Sequence, residues 1–428
     1  MAESTKTRPT TPGHLSYAAS ATPTPSVFDL AKEVVARASR IYQGPPEVLR
    51  DDYMPKNLPF REKEISALLS ALSPLVSGYQ PPHIVVQGRA GTGKSTILPQ
   101  VLDALARHSH LVTPFTVAYI SCPLIDSDST FLREVASAVA RDSATGREKR
   151  GAEALLEELK GVIASKGQQV VLVLDGIDQA LPHLNPEFLY GILNLNTETS
   201  HVAVIAVVRD PSFERKLGIK TSSRFLTEHV AFETYDEQQV TAIVGERARV
   251  VLGDDPEVHE AVTVCAAYAV REDGGNVRTA LSTLRLAAKL AEQEGAGAVS
   301  KDHVERAVAE LHVELLSRQI RGMDIQDQVL LHSILSLVHD TAEGTTVFEK
   351  IYPHYEQYCN VVNVPPFKER AARNRVDDLE RQGLVRSRMV HLGRNGGRKR
   401  LISPVVSPGE GLRVLDGVLA PRRALHPL

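Results

Sequence analysis

One stretch limits the fold of this chain more than any other: "PPHIVVQGRAGTGKSTILPQ", residues 81–100. An apolar, β-branched run (81–88) passes into GxxxxGKS (88–95) and then into a segment of helical period running to about 107. Glycines in such a loop let successive backbone N–H groups curl round phosphates, and the helix that follows adds the positive potential of its N-terminus. The loop therefore demands a strand before it and a helix after it. Three further short apolar runs, "FTVAYISC" (115–122), "QVVLVLD" (169–175) and "HVAVIAVV" (201–208), alternate with helix-period segments. Strands buried on both faces read this way, so the fold class is α/β, with a parallel P-loop sheet of at least four strands.

The same spacing assigns chemistry. Lys94 is placed to reach the β phosphate of ATP or ADP and the γ phosphate of ATP, and the Ser95 hydroxyl to ligate Mg²⁺. Gly88, Gly91, Thr92, Gly93 and Thr96 complete the loop. A second magnesium element is an acid closing a neighbouring strand, which is Asp175; the alternative is that Asp175 caps the helix after it. ATP-hydrolysing proteins usually carry Glu directly after that acid to orient water, and here the residue is Gly176. Asp178 is shorter and lies two positions on.

At 428 residues the chain exceeds one hydrophobic core, so two or three domains are expected. The strand signal stops near 234, and helix patterns fill the chain to about 318. From 325 three helix patterns precede two short β runs, "LVRSRMVHL" and "KRLISPVV", joined by "GRNGGR", the order of a winged helix-turn-helix. Total charge is −3, yet residues 368–404 carry eleven Lys/Arg against four acids, a local +7 that leaves −10 elsewhere. One module thus suits a polyanion, for which double-stranded DNA is the expected partner. Candidate contacts are Lys368, Arg370, Arg373, Asn374 and Arg375 on the outer face of the third helix, and Arg394, Arg398, Lys399 and Arg400 crowding the hairpin without an intervening acid. A salt-bridged helix surface is the bland alternative.

No apolar run approaches the roughly 20 residues of a membrane span, so no membrane contact is expected. Cys122, Cys265 and Cys359 lack metal-like spacing and read as small core residues of a reducing compartment. The Thr/Pro-rich start lacks a signal core, and a cytoplasmic, nucleoid-associated location follows. "SVFDLAKEVVARASRIY" reads as a helix capped by Ser26, and His108 with His110 as a solvated helix end rather than a metal site.

With these elements placed, "DDYMPKNLPFREKE", "SSRFLTEHVAFETYDEQQV", "GGNVRTALSTLRLA" and the terminal module together resemble the archaeal origin-recognition initiators, over about residues 45–404. The resemblance implies an AAA+ architecture: tail 1–26, nucleotide-binding base 27–232, helical lid 233–318, winged helix 319–408 and tail 409–428. It implies that Leu58, Pro59 and Arg61 lie near the adenine, that Tyr235 opens the lid, and that Arg278 touches the γ-phosphate. It also exposes departures, with Arg209 where the family has a sensor Asn and Lys220 where a trans-acting Arg would sit. Origin DNA, the replicative helicase and another initiator paralogue are the implied partners. Very slow hydrolysis, with nucleotide as a switch, is the expected behaviour; a regulatory NTPase acting on transcription or transposition through its winged helix is the alternative.

Overall fold

The computed structural model describes residues 41–107, 114–140, 151–167, 169–197, 200–225, 228–339, 341, 344–391 and 398–423. Ser26, the His108/His110 pair and Arg394 lie outside them.

The base alternates helix and strand: α1 (Glu62–Leu72), β1 (Ile84–Gly88), α2 (Lys94–Arg107), β2 (Phe115–Ser121), α3 (Asp128–Ala140), α4 (Ala152–Lys166), β3 (Gln169–Asp175), α5 (Pro186–Leu193), β4 (Val202–Val208) and β5 (Glu228–Phe232). The strands form one parallel sheet in the order β2-β3-β4-β1-β5. β4 lies at its centre with all seven residues buried, which is what an unbroken run of Val, Ala and Ile requires. Each sheet face carries its own apolar cluster, one under α3, α4 and α5, the other under α1 and α2. The edge strand β5 escapes sequence reading because His229 and Ala231 face water and break the apolar run.

Four helices follow: α6 (Glu237–Leu252), α7 (Pro256–Asp273), α8 (Val277–Glu294) and α9 (Lys301–Arg321). Their starts are written in the sequence, since Asp236 and Gln239 form a reciprocal capping box and Asp255 and Asn276 cap α7 and α8. Ile41, Val48 and Leu49 are buried in this helical core, although they precede the base in the chain. From Ile41 the described residues thus run first against the lid, cross to the base through residues 50–61, and return through 233–236.

The third unit holds α10 (Ile325–His339), β6 (Thr346–Val347), α11 (Phe348–Val361), α12 (Glu369–Arg381), β7 (Val385–His391), β8 (Arg398–Pro404) and α13 (Pro408–Arg423). Its sheet order is β6-β8-β7, antiparallel. The stretch read as a tail from 409 is helical as far as Arg423, and Leu415 and Leu419 are buried with α10 in the winged-helix core. Pro408, Gly409 and Gly411 hide that helix from a propensity reading. Cys122, Cys265 and Cys359 are all buried and unpaired.

Candidate functional site

The phosphate loop runs from the end of β1 into α2. Gly91 and Gly93 hold φ of 73° and 95°, a region costly for any residue with a Cβ. Space forbids one as well, because a Cβ on Gly91 would stand 1.7 Å from Asn276 Oδ1, the cap of lid helix α8. The lid is therefore seated directly on the loop.

Lys94 opens α2, is 6% exposed, and donates to Gly88 O at 2.6 Å and Arg89 O at 2.7 Å. Burial and then the nearby charge of Arg209 push its ammonium down to about 8, against the opposing pull of Asp175. Ser95 follows on the first turn, and Asp175 closes β3. One hydroxyl and one carboxylate are hard oxygen donors, a set that fits Mg²⁺ with phosphate and water oxygens filling the remaining positions.

Tyr119, on β2, was not singled out by sequence reasoning. Its hydroxyl donates to Asp175 Oδ2, and the Ser95 side chain lies beside the same phenol. Burial and then the Asp175 carboxylate raise the phenol above its ordinary range, so it remains a donor.

Arg209 follows β4 directly. The register pairs Val207 with Asp175 and Val208 with Gln87, so Arg209 emerges between the Asp175 carboxylate and the phosphate loop. It lines one small compartment with Gly91, Thr92, Gly93, Lys94, Ser95, Asp175 and Arg278. Asp178 does not face that compartment as a base would, because its Oδ2 accepts from the backbone N–H of Arg209 at 2.9 Å and Asp210 at 3.0 Å. Gly176 holds φ of 75°, and a Cβ there would meet Pro123 Cγ at 3.0 Å. Lys220 is exposed on the short helix Gly218–Ser222, outside the compartment.

A cleft of about 320 Å³ opens beside the loop between base and lid. Leu58, Pro59, Thr96, Tyr235 and Arg278 line it, as do Tyr53 and Arg247, which the sequence did not single out. Its aliphatic walls, with Asn57, Glu246 and Arg247 among the polar groups at its edges, suit a flat heteroaromatic ring that carries hydrogen-bonding atoms. Arg61 is elsewhere: 4% exposed, it lies behind the loop, donating to Thr92 O at 3.1 Å, Tyr235 Oη at 2.9 Å, Glu233 O at 2.6 Å and Glu64 Oε1 at 2.7 Å. Its guanidinium also stacks 3.8 Å from the Tyr235 ring centre. It ties phosphate loop to lid hinge.

On the winged helix, Lys368, Arg370, Asn374 and Lys399 are exposed. Arg373 is committed in part to Glu369 at 3.0 Å and to the Phe348 ring at 4.2 Å. Arg375 turns inward to the buried Asp327 at 3.1 Å, a correction to its expected outward face. Arg400 is likewise corrected: Asp377 at 2.5 Å and Glu380 at 2.7 Å flank it, because the hairpin packs on α12 and brings acids that sequence spacing had kept apart. Arg398 begins β8. Arg386 and Arg388, exposed on β7, extend the basic surface.

Comparison with known proteins agrees across all three units. The AAA ATPase domain family matches residues 57–205, the Cdc6 AAA+ ATPase-type lid domain 241–309, and the CDC6 C-terminal winged helix domain 318–413. The chain is 30% identical over 379 residues to the ORC1-type DNA replication protein of Pyrococcus abyssi, covering 87% of this chain and 90% of that one. It is 30% identical over 357 residues to ORC1-type DNA replication protein 1 of Archaeoglobus fulgidus, covering 82% and 85%. Among solved structures, the Aeropyrum pernix ORC1 protein in complex with DNA matches with a TM-score of 0.71 at 27% identity, over 90% of this chain and 99% of that one. No helix among the described residues is long and apolar enough to cross a membrane. With a P-loop sheet, a capped helical lid and a winged helix in this order, the chain belongs to the ORC1-type DNA replication proteins.

Proposed function

We propose that the protein is an ATP-binding replication initiator that grips duplex origin DNA through its winged helix and helps recruit the replicative helicase, with nucleotide as the switch and hydrolysis weak or absent. The observation that carries the slow-hydrolysis reading is the region after Asp175. Gly176 sits in a left-handed conformation hostile to Glu, and the acid two positions on, Asp178, accepts through Oδ2 from the backbone N–H groups of Arg209 and Asp210. Without a positioned base a rate falls by about 10² to 10⁴.

Binding, by contrast, is well provided for. Lys94, Arg209 and Arg278 place three cations round one compartment, Ser95 and Asp175 supply the oxygen pair for Mg²⁺, and Leu58, Pro59 and Tyr235 wall the base cleft. Bound magnesium would neutralise phosphate charge. Lys94 must then exchange its loop carbonyls for phosphate oxygens, and Arg61 connects any movement of Thr92 to Glu233 and Tyr235 at the hinge. The lid, and with it the winged helix, follows.

Duplex contact is supported by the exposed Lys368, Arg370, Asn374 and Lys399 and by the ORC1 relative solved with DNA. Helicase and paralogue partners rest on family membership alone. The test is paired. Phosphate release is expected below about one turnover per minute, while fluorescence anisotropy is expected to favour a repeat from the host's own origin over random duplex. Turnover above that rate, abolished by Lys94→Ala, overturns the hydrolysis reading; equal affinity for all duplexes favours the regulatory NTPase.

A further inference from the structure

Tyr119 has no assigned role, yet it joins the two side chains proposed to hold magnesium. β2 is the edge strand beside β3, with Tyr119 level with Val173, so the phenol reaches two residues along β3 to meet Asp175 Oδ2. Ser95 approaches the same hydroxyl from the first turn of α2. The ring is 38% exposed, so packing alone does not hold it; the hydrogen bond to Asp175 does much of that. A phenol donating to a carboxylate makes a short, charge-assisted bond that fixes the acceptor's rotamer. With Oδ2 engaged, Asp175 offers one oxygen in one direction.

We propose that Tyr119 is the positioning residue for the divalent cation: by holding Asp175 Oδ2 beside Ser95, it limits the protein to one carboxylate oxygen and one hydroxyl and makes cation capture depend on bound nucleotide. The inference rests on the assignment of Ser95 and Asp175 as the magnesium pair. Mg²⁺ demands near-octahedral geometry and keeps several waters, so a carboxylate free to rotate or chelate is a poorer partner for a nucleotide-bound ion than one held in place. Partners of metal ligands in other proteins contribute about 10 to 100-fold in metal affinity.

The test uses the full chain and a fluorescent ATP, titrated first in EDTA and then with rising Mg²⁺. In Tyr119→Phe the Mg²⁺ midpoint is expected to rise about tenfold or more, with nucleotide affinity in EDTA and the thermal midpoint without nucleotide unchanged. Because the hydroxyl acts through Asp175, adding Tyr119→Phe to Asp175→Asn is expected to have little further effect. An unchanged midpoint, equal losses with and without magnesium, or additive losses in the double variant would each overturn the proposal. If the wild type binds nucleotide with no response to Mg²⁺, it is the Ser95/Asp175 assignment that fails instead.

Discussion

Lys94 directs its donors into its own loop, to two carbonyls and, at 3.4 Å, to Thr92 Oγ1. Burial lowers its ammonium from 10.5 to about 8, so the charged form that phosphates require is fully present below that pH and lost above it. Nucleotide affinity is therefore expected to decline as pH rises through about 8, with proton uptake on binding visible by calorimetry in buffers of different ionisation enthalpy. Lys94→Ala should remove both the affinity and the uptake. Arg209 makes a second prediction. A fixed guanidinium between Asp175 and the phosphate loop favours the extra charge of a third phosphate, so Arg209→Asn should cut the preference for ATP over ADP by roughly tenfold, the scale of one charged hydrogen bond. Equal weakening of both nucleotides would deny it that role. At this scale the geometry that the loop spacing demands was legible, with Gly91 and Gly93 at positive φ, Lys94 opening α2 and Asp175 closing β3. Tyr119, Arg61 and Asp178 were not, because their roles depend on which strands lie side by side and which residues cross between units.

At the scale of elements, α12 shows how tertiary packing reassigns charge. The helix and its apolar face of Ala372, Val376 and Leu379 were readable from period alone, and all three are buried. Which arginines remain for DNA was not readable, because Asp327 comes from α10, and Asp377 and Glu380 meet β8 only once the hairpin folds back. Arg370→Ala is expected to weaken duplex binding uniformly across sequences and to reduce the slope of log K against log salt by about one. Arg375→Ala should act on stability, by about 1–3 kcal/mol through the deserted Asp327 carboxylate, with a lower thermal midpoint and little change in salt slope. The reverse pattern would restore Arg375 to the DNA face. Capped helices such as α6 and α8 were legible from Asp236, Gln239 and Asn276, whereas β5, β6 and α13 were hidden by polar alternation, brevity, and Pro and Gly at the start.

Across the whole molecule, four apolar clusters among the described residues, two of them on opposite faces of the base sheet, are joined by a few polar brackets. The base and lid are crossed twice by the chain, and the cleft between them is walled from both sides, by Leu58 and Pro59 on the first crossing and Tyr235, Val277 and Arg278 on the lid side. Seating of the Asn276 cap on Gly91 and the Arg61 bracket to Glu233 make lid orientation a property of the phosphate loop. Under the proposed function, nucleotide bound at that loop would act as a structural ligand that sets where the winged helix points. The most direct measurement is a footprint of the purified protein on its origin duplex, with and without ATP, for wild type and Lys94→Ala. An ATP-dependent change in affinity or protected length, absent from Lys94→Ala, is the expected result. The same grip and the same footprint for both proteins, whatever the nucleotide, would contradict the account.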